Sequence, residues 1–281
     1  MVELRWGERT YVMGVVNVTP DSFSGDGLAG PGRPIDEVVA AALEQARAFV
    51  AAGAEIIDIG AESSRPRAAY GDHPDVDEGT ERSLAIPVVS SIVVELGDRA
   101  LVSIDTSKGG VARAAVEAGA RMVNDVWGAR DPGTAEAAAG GSAFFVVMHN
   151  QAGSDYPDGV VPTVVARLRE AAAAAEARGV APDRIVVDPG IGFGKGTEEN
   201  LEILHRLAEI KAALDGRPLL VGTSRKRFLG ELLGGAAPED RVEGTAATVA
   251  LAIAAGADIV RVHDVAAMSS VRRVADAVVR R

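Results

Sequence analysis

The sequence predicts an α/β protein in which eight parallel strands alternate with helices and close into a (β/α)8 barrel, also called a TIM barrel. Eight short runs are rich in β-branched residues, and alanine-rich stretches with apolar residues at three- and four-residue spacing lie between them. The runs are apolar on both faces, as strands are in a parallel sheet that helices cover. A glycine also stands shortly before each run after the first. A doubly wound open sheet is the alternative that these patterns leave open.

The predicted strands are spread over the whole chain. In order they are YVMGVVN (11–17), EIIDIG (55–60), ALVSID (100–105), RMVND (121–125), AFFVVM (143–148), RIVVD (184–188), PLLVGT (218–223) and DIVRV (258–262). Eight strand–helix units in 281 residues match the length of a typical barrel, about 250 residues. No Pro/Gly/Ser linker and no block of charge divides the chain, so we predict one domain over residues 1–281.

Glycines precede the second to eighth predicted strands. They are Gly53, Gly97, Gly119, Gly141, Gly179, Gly216 and Gly256. Helices often end on a glycine in the left-handed conformation, where a Cβ would be strained, so each is predicted to be a helix C-cap. Before the first strand, the segment around WGE (6–8) is predicted to form a short hairpin that closes the barrel floor.

The composition excludes several classes of protein. The formal charge is −11, from 40 acidic and 29 basic residues, which argues against nonspecific binding to nucleic acid or to an anionic membrane. The sequence holds no cysteine, so disulfides and cysteine-ligated metal centres are excluded. The first residues do not have the pattern of a signal peptide, and no apolar run reaches the length of about 18 residues that spans a bilayer. We therefore expect a cytoplasmic protein.

Polar side chains stand at or just beyond the carboxyl ends of the predicted strands. They are Asn17, Glu62, Ser64, Arg65, Asp105, Asn124, Asp125, His149, Asn150, Asp188, Ser224, Arg225, Lys226, Arg261, His263 and Asp264. In a barrel these positions converge on the C-terminal mouth, where active sites lie. Placing so many polar groups beside an apolar core is costly unless they are paired or meet a ligand. The sequence therefore predicts a binding site at this mouth.

The chemistry of this set indicates two kinds of ligand group. Asp105, Asn124 and Asp188 supply acceptors and an amide, which suit a flat heterocycle that carries N–H donors. Lys226 can donate to a carbonyl or a nitrogen of such a ring. A cationic group at the rim would meet an anion; we predict that its members are Arg65, Arg225, Arg261 and His263. The start of a helix near Ser224 would add backbone N–H groups that attract an anion.

The glycine-rich stretch DPGIGFGKG (188–196) follows the sixth predicted strand. It is not a P-loop, because that motif needs a glycine where Pro189 stands. Its glycines would let the backbone pass close to a ligand and present Phe193 to it. Lys195 is predicted to be a solvated loop lysine.

Eight ordered blocks together resemble one enzyme family. They are MGVVNVTPDSFS, GAEIIDIGAESSRP, SIDTSK, AGARMVNDVWGA, VVMHN, DPGIGFGK, LLVGTSRKRFLG and GADIVRVHDV. From Met13 to about Met268 the chain resembles the dihydropteroate synthases. The resemblance implies a homodimer that joins 6-hydroxymethyl-7,8-dihydropterin diphosphate to p-aminobenzoate. The products would be 7,8-dihydropteroate, an intermediate of folate synthesis, and pyrophosphate.

Matched motif by motif, the resemblance also implies roles for individual residues. The pterin would be bound by Asp105, Asn124, Met148, Asp188 and Lys226. The diphosphate would be bound by Asn17, Ser64, Arg65, Arg261 and His263, with Mg²⁺ as cofactor at Asn17. The p-aminobenzoate would be bound by Phe193, Ser224 and Arg227. Catalysis would rest on Asp26, Arg65 and Lys226.

One departure from the family pattern leaves alternatives open. The first loop reads SFSGDG where the family often has SFSDGG, so Asp26 would replace the usual acid one position later. One alternative is a pterin-binding methyltransferase module that hands a methyl group to a corrinoid protein. Another is a non-catalytic protein that keeps a pterin-shaped pocket. The NVTPDSF loop and the SRK and RVHD groups favour the synthase.

Overall fold

Eight strands alternate along the chain with segments that hold one or two helices. The computed structural model describes residues 2–19, 27–30, 32–62 and 76–280. The strands are β1 (Tyr11–Asn17), β2 (Ile56–Gly60), β3 (Leu101–Asp105), β4 (Met122–Asp125), β5 (Phe144–Met148), β6 (Ile185–Asp188), β7 (Leu220–Val221) and β8 (Ile259–Val262). Each lies within or close to a run that the sequence predicts to be a strand.

The described helices cover the outside of the sheet. They are α1 (Ile35–Ala52), α2 (Glu78–Leu96), α3 (Gly109–Glu117), α4 (Pro132–Gly140), α5 (Val160–Ala177), α6 (Thr197–His205), α7 (Leu207–Ala213), α8 (Arg227–Leu232), α9 (Val242–Ala254) and α10 (Val265–Val279). Short 3-10 helices, Pro182–Arg184 and Pro238–Arg241, precede β6 and α9. Among the helices that the structure describes, none combines the length and the apolar character needed to cross a bilayer.

The sheet is parallel throughout and nearly closes on itself. Its strand order is β6-β5-β4-β3-β2-β1-β8-β7. A parallel bridge between Val187 and Leu219, and a hydrogen bond of 2.9 Å from the Val187 N–H to the Pro218 carbonyl, connect its two ends. The predicted (β/α)8 barrel is therefore confirmed over the open doubly wound sheet. The prediction of one domain over 1–281 stays a prediction.

Alternate residues of each strand face the inside of the barrel. The inner residues near the strand starts form a buried apolar layer, here called the floor cluster. Its members are Leu4, Tyr11, Met13, Ile56, Leu101, Met122, Phe144, Val146, Val186, Leu220 and Ile259. Residues of opposite parity, such as Ile57 and Ile59, pack into the larger core between sheet and helices. Inner positions above the floor cluster are thus the only part of the described barrel interior that the apolar layer leaves for polar groups.

The segment before β1 closes the floor by side-chain packing. Residues 2–10, all of which the structure describes, contain no strand, so the predicted hairpin is wrong. The Trp6 ring instead meets the rings of Tyr11 and Phe144 edge-on, at centroid distances of 5.9 and 5.5 Å. The Gly7 N–H donates to Asp258 Oδ1 at 3.3 Å. The Trp6 ring covers this end of the barrel through side-chain contacts, and such contacts do not require the backbone to pair with a strand.

The glycines before the strands are left-handed in most places. Their φ angle is positive at Gly53, Gly119, Gly179, Gly216 and Gly256. The left-handed C-cap is confirmed at Gly53, whereas the other four glycines follow the cap residue of their helix by one or two positions. Gly97 and Gly141 are cap residues, but the predicted left-handed conformation is wrong there, because their φ angles are −64° and −95°. At Gly97 the lack of a side chain serves close packing, because a Cβ would lie 2.5 Å from the Val93 carbonyl oxygen.

Candidate active site

A layer of polar side chains lies directly above the floor cluster. The strand registers pair Asp58 with Ser103 and Asp105 with Asn124, and all four share the inward parity of the floor residues beneath them. Arg261 has the same parity on β8, two residues after Ile259. Neighbouring strands thus place two carboxylates, an amide, a hydroxyl and a guanidinium inside the barrel.

Asp58 is the centre of this layer and is fully buried. Its Oδ1 accepts a hydrogen bond from Ser103 Oγ at 2.6 Å, and its Oδ2 accepts from Asn124 Nδ2 at 3.0 Å. The Nε of Arg261 donates to the same Oδ2 at 2.7 Å. A buried carboxylate is tolerated only when it is paired and hydrogen-bonded, and Asp58 meets both conditions. The bonds also fix the amide of Asn124 and the guanidinium of Arg261 in one orientation.

Arg261 joins Asp58 to the next carboxylate, Asp105. Its Nη2 donates to Asp105 Oδ2 at 2.8 Å. Burial raises the pKa of Asp105 to about 7, although the positive charge of Arg261 opposes the rise. Two carboxylates share a single guanidinium, so this side of the barrel interior favours a ligand that donates hydrogen bonds.

Asp188, at the end of β6, forms the opposite side of the site with Lys226. The Asp188 side chain is buried, and its Oδ1 accepts from the Gly190 N–H at 2.7 Å. Burial raises its pKa to about 6, opposed by this hydrogen bond and by the charges of Lys226, Lys195 and Arg261. These charges reach Asp188 from different elements, so Asp188, Lys226 and Arg261 lie near one another at the mouth.

An apolar wall stands beside these polar groups. Val126, Met148 and Phe193 form a small buried cluster against which Trp127 packs. The ammonium nitrogen of Lys226 lies 4.0 Å from the centroid of the Phe193 ring, a cation–π contact. A polar layer beside a flat apolar wall suits an aromatic heterocycle that forms hydrogen bonds at its edges.

Lys195 differs from its prediction as a solvated loop residue. Only 8% of the residue is exposed, and its Nζ lies 2.9 Å from each of three acceptors: His149 Nδ1 and the carbonyl oxygens of Gly190 and Phe193. The carbonyls of the glycine-rich turn point inward, and buried carbonyls need a donor. The prediction is wrong because the sequence does not tell which way those carbonyls turn.

The residues predicted to form a cationic rim are largely paired. Arg225 makes two hydrogen bonds to Asp264, at 3.0 and 2.7 Å. Arg261 is neutralised deep in the mouth by Asp58 and Asp105, so the predicted rim group is corrected for both arginines. His263 Nδ1 lies 3.0 Å from Ser224 Oγ, which also accepts from the His263 N–H at 3.1 Å.

The remaining predicted site residues divide into two groups. Asn17 ends β1 at the same mouth, and its carbonyl accepts from the Leu28 N–H at 3.0 Å. Arg227 begins α8, is about half exposed and lines a shallow cleft with Gly192 and Lys195. Asp26, Ser64 and Arg65 lie outside the described residues. The individual roles implied by the resemblance stay predictions.

A family model described as pterin binding enzyme matches residues 13–263 of the chain. The chain belongs to the family of pterin-binding enzymes. Among curated relatives, the dihydropteroate synthase of Bacillus subtilis (strain 168) is 45% identical over 275 residues, covering 98% of this chain and 90% of the relative. The match to a pterin-binding family agrees with the polar layer described above, which suits a heterocycle with hydrogen-bonding edges.

Two similar solved structures carry informative ligands. The dihydropteroate synthase of Clostridium difficile, determined in the presence of pteroic acid, has a TM-score of 0.89 and 41% identity, and the match covers 99% of this chain and 100% of that one. The Xanthomonas albilineans enzyme with 4-aminobenzoic acid has a TM-score of 0.86 and 40% identity, with 97% and 94% covered. This pterin-binding enzyme thus shares its whole fold with dihydropteroate synthases.

Sequence reasoning missed Asp58, the most connected residue of the site. The signal was available as an acid in the middle of the apolar run EIIDIG, at the parity of Ile56 and Gly60. A carboxylate buried inside a strand needs a partner, so it should have been assigned to the interior layer. Its partner Arg261 could not be inferred in the same way, because that requires the arrangement of strands around the barrel.

We expect Asp58→Asn to weaken binding of a pterin and to lower the free energy of unfolding by about 3 kcal/mol, as when one partner of a buried ion pair is lost. The matched control is Asp125→Asn. Asp125 is also buried, but it accepts from Thr134 Oγ1 at 2.8 Å and from the Trp127 N–H at 2.9 Å, outside the inner layer. Calorimetric titration should find pterin affinity reduced in the first variant only; equal affinities would contradict the role of Asp58.

Proposed function

We propose that the chain condenses 6-hydroxymethyl-7,8-dihydropterin diphosphate with p-aminobenzoate and releases pyrophosphate. The product is 7,8-dihydropteroate, so the enzyme is a transferase of folate synthesis. One observation carries the proposal: the buried polar layer, with Asp105, Asn124 and Asp188, adjoins a wall at which Phe193 meets Lys226. Similar structures were determined in the presence of pteroic acid, which contains both halves of the product, and with 4-aminobenzoic acid.

The polar layer above the floor cluster matches the edge of a pterin ring. Such a ring presents N–H donors beside a carbonyl, and Asp105 and Asp188 supply the acceptors. Asn124 is held with its Nδ2 on Asp58, which leaves its amide oxygen free of that bond and able to accept from the ring. Lys226 donates to the ring carbonyl or a ring nitrogen, and Met148 packs against the ring face.

The reaction exchanges one bond at the pterin methylene carbon. The C–O bond to the diphosphate breaks, and the diphosphate leaves with the electron pair. The amine nitrogen of p-aminobenzoate forms the new C–N bond and loses one proton. An aniline is neutral at pH 7, so no strong base is needed before the attack. The residues of the chain orient the two substrates and stabilise the charge of the leaving group.

The leaving group is assigned to the side of the mouth formed by β8 and β1. His263 is oriented there by its two contacts with Ser224. Asn17 offers an amide oxygen, a hard ligand that suits Mg²⁺, which is commonly held by one or two protein oxygens together with substrate phosphates. When bound, Mg²⁺ supplies charge neutralisation at the diphosphate. This part of the proposal also includes Arg65, Ser64 and Asp26, which lie outside the described residues.

Purified protein incubated with the pterin diphosphate, p-aminobenzoate and Mg²⁺ is expected to release pyrophosphate only when both substrates are present. Removing the metal with EDTA should stop the release, and adding excess Mg²⁺ should restore it. Pyrophosphate and dihydropteroate are measured in the same samples. Tight pterin binding without turnover would overturn the synthase and support either a methyltransferase module or a non-catalytic pterin-binding protein.

Affinity for the pterin is expected to fall with the protonation of Asp105 near pH 7, and to fall more steeply below about pH 6, the pKa to which burial raises Asp188. Protonation removes a carboxylate acceptor from the ring, so each further pH unit should cost up to about tenfold in affinity. Asp188→Asn should bind weakly and lose this dependence, keeping only the contribution of Asp105 near pH 7. The ligand is chosen so that its own protonation does not change over the pH range of the titration. An unchanged profile in the variant would count against the assignment.

We further propose that the enzyme is a homodimer that uses its last two helices. Leu251 on α9 and Val274 and Val278 on α10 are 64%, 68% and 65% exposed, which is unusual for apolar side chains on adjacent helices. A second copy would bury this face in a symmetric contact. Light scattering is expected to give twice the mass of the chain, and Val278→Glu to give the single mass; a monomer in the wild type would refute the dimer. The cytoplasmic location stays a prediction.

A further inference from the structure

The loop after β6 is a tightly turned segment that lies against the segment after β5. Gly190, Gly192 and Gly194 have φ angles of +69°, +79° and +59°. At Gly190 a Cβ would overlap the carbonyl oxygen of His149, and at Gly194 it would overlap that of Gln151. Glycine is therefore required at both positions by the left-handed backbone and by the lack of space. The turn directs the Gly190 and Phe193 carbonyls toward the protein interior, as their shared contact with Lys195 indicates.

The amine of Lys195 fills the space between these carbonyls and His149. Its three acceptors match the three N–H groups of an ammonium, whereas a neutral amine has only two. His149 accepts through Nδ1, so its proton is on Nε2. Burial, followed by the charge of Lys195, lowers the pKa of His149 to about 3, which keeps the ring neutral. Burial also lowers the pKa of Lys195 to about 7, opposed by Asp188, but the complete set of acceptors favours its charged form.

Other contacts hold the two sides of the loop. The Gly192 N–H donates to Asn200 Oδ1 at 2.7 Å, and Asn200 Nδ2 donates to the Gly196 carbonyl at 2.7 Å. Tyr156 Oη donates to the Gly194 carbonyl at 2.7 Å. Within this frame Lys195 alone bonds to the carbonyl of Phe193 itself, whose ring faces Lys226.

We propose that Lys195 is a positioning residue that holds Phe193 in the wall of the p-aminobenzoate subsite, so that it sets affinity for the second substrate. This rests on the proposed function. Without the ammonium, the Gly190 carbonyl keeps the Phe193 N–H as a donor, but the buried Phe193 carbonyl loses the bond from Lys195, and the turn must open toward water to satisfy it. The Phe193 ring then leaves the wall, while Asp105 and Asn124 keep their hydrogen bonds in the polar layer that binds the pterin. The effect is therefore larger for p-aminobenzoate than for the pterin, whose ligand Asp188 loses one nearby positive charge.

The test compares Lys195→Met with Lys211→Met. Lys211 also donates to a carbonyl, that of Gly256 at 2.7 Å, and to Asp258 at 2.6 Å, but it lies near the barrel floor. We expect Lys195→Met to raise the KM for p-aminobenzoate by about tenfold or more and to leave pterin affinity within about threefold. Lys211→Met should lower the melting temperature without changing either constant. Equal losses for both substrates in Lys195→Met would overturn the proposal.

Hydrogen exchange in the substrate-free protein separates this inference from the proposed function. The Phe193 N–H donates to the Gly190 carbonyl at 3.1 Å, so its exchange should become faster in Lys195→Met and stay unchanged in Lys211→Met. Unchanged exchange overturns the positioning role, whereas wild-type protein without turnover refutes the proposed function instead. Should Lys195→Met fail to fold, Lys195→Gln is used instead, because its shorter, neutral side chain has only two N–H groups and cannot replace the three bonds of the ammonium. It must then show the same selective rise in KM, and an unchanged KM overturns the proposal.

Discussion

The guanidinium of Arg261 between the buried carboxylates of Asp58 and Asp105 is the interaction on which the site depends. Removing these charges from water is costly, so each must be paired in good geometry. The pairing connects β8 to β2 and β3 across the barrel interior and orients Asn124 through Asp58. The polar layer is therefore a rigid surface before any ligand arrives, and a ligand does not have to order it.

A second constraint comes from the closed barrel. The floor cluster fills the lower interior with apolar side chains, so polar groups are confined to the upper layer and reach solvent at one mouth. The end of β5 and the loops after β6 and β7 then add Met148, Phe193 and Lys226 as a wall. A ring that offers N–H donors at its edge and an apolar face would satisfy both surfaces at once, as the proposed pterin does.

Much of the fold and part of the site could be predicted from local patterns. The eight strands were found because buried parallel strands are short, β-branched runs, and polar residues at their carboxyl ends indicated the correct mouth. The hairpin before β1 was wrong, because packing of Trp6 on Tyr11 and Phe144 leaves no local signature. Lys195 was misjudged for a related reason: a lysine in a glycine-rich loop has the same sequence pattern whether it is solvated or bound to inward-facing carbonyls.

The sequence by itself determined the order of strands and helices and the chemical types of residue at the mouth, because period and composition are properties of neighbouring residues. Only the tertiary structure decided which of those residues form ion pairs with one another. Arg261 and Asp58 are 203 positions apart, and they meet because the sheet closes and sets the register between β8, β1 and β2. Ring closure is a property of the whole sheet, and no single stretch of sequence encodes it.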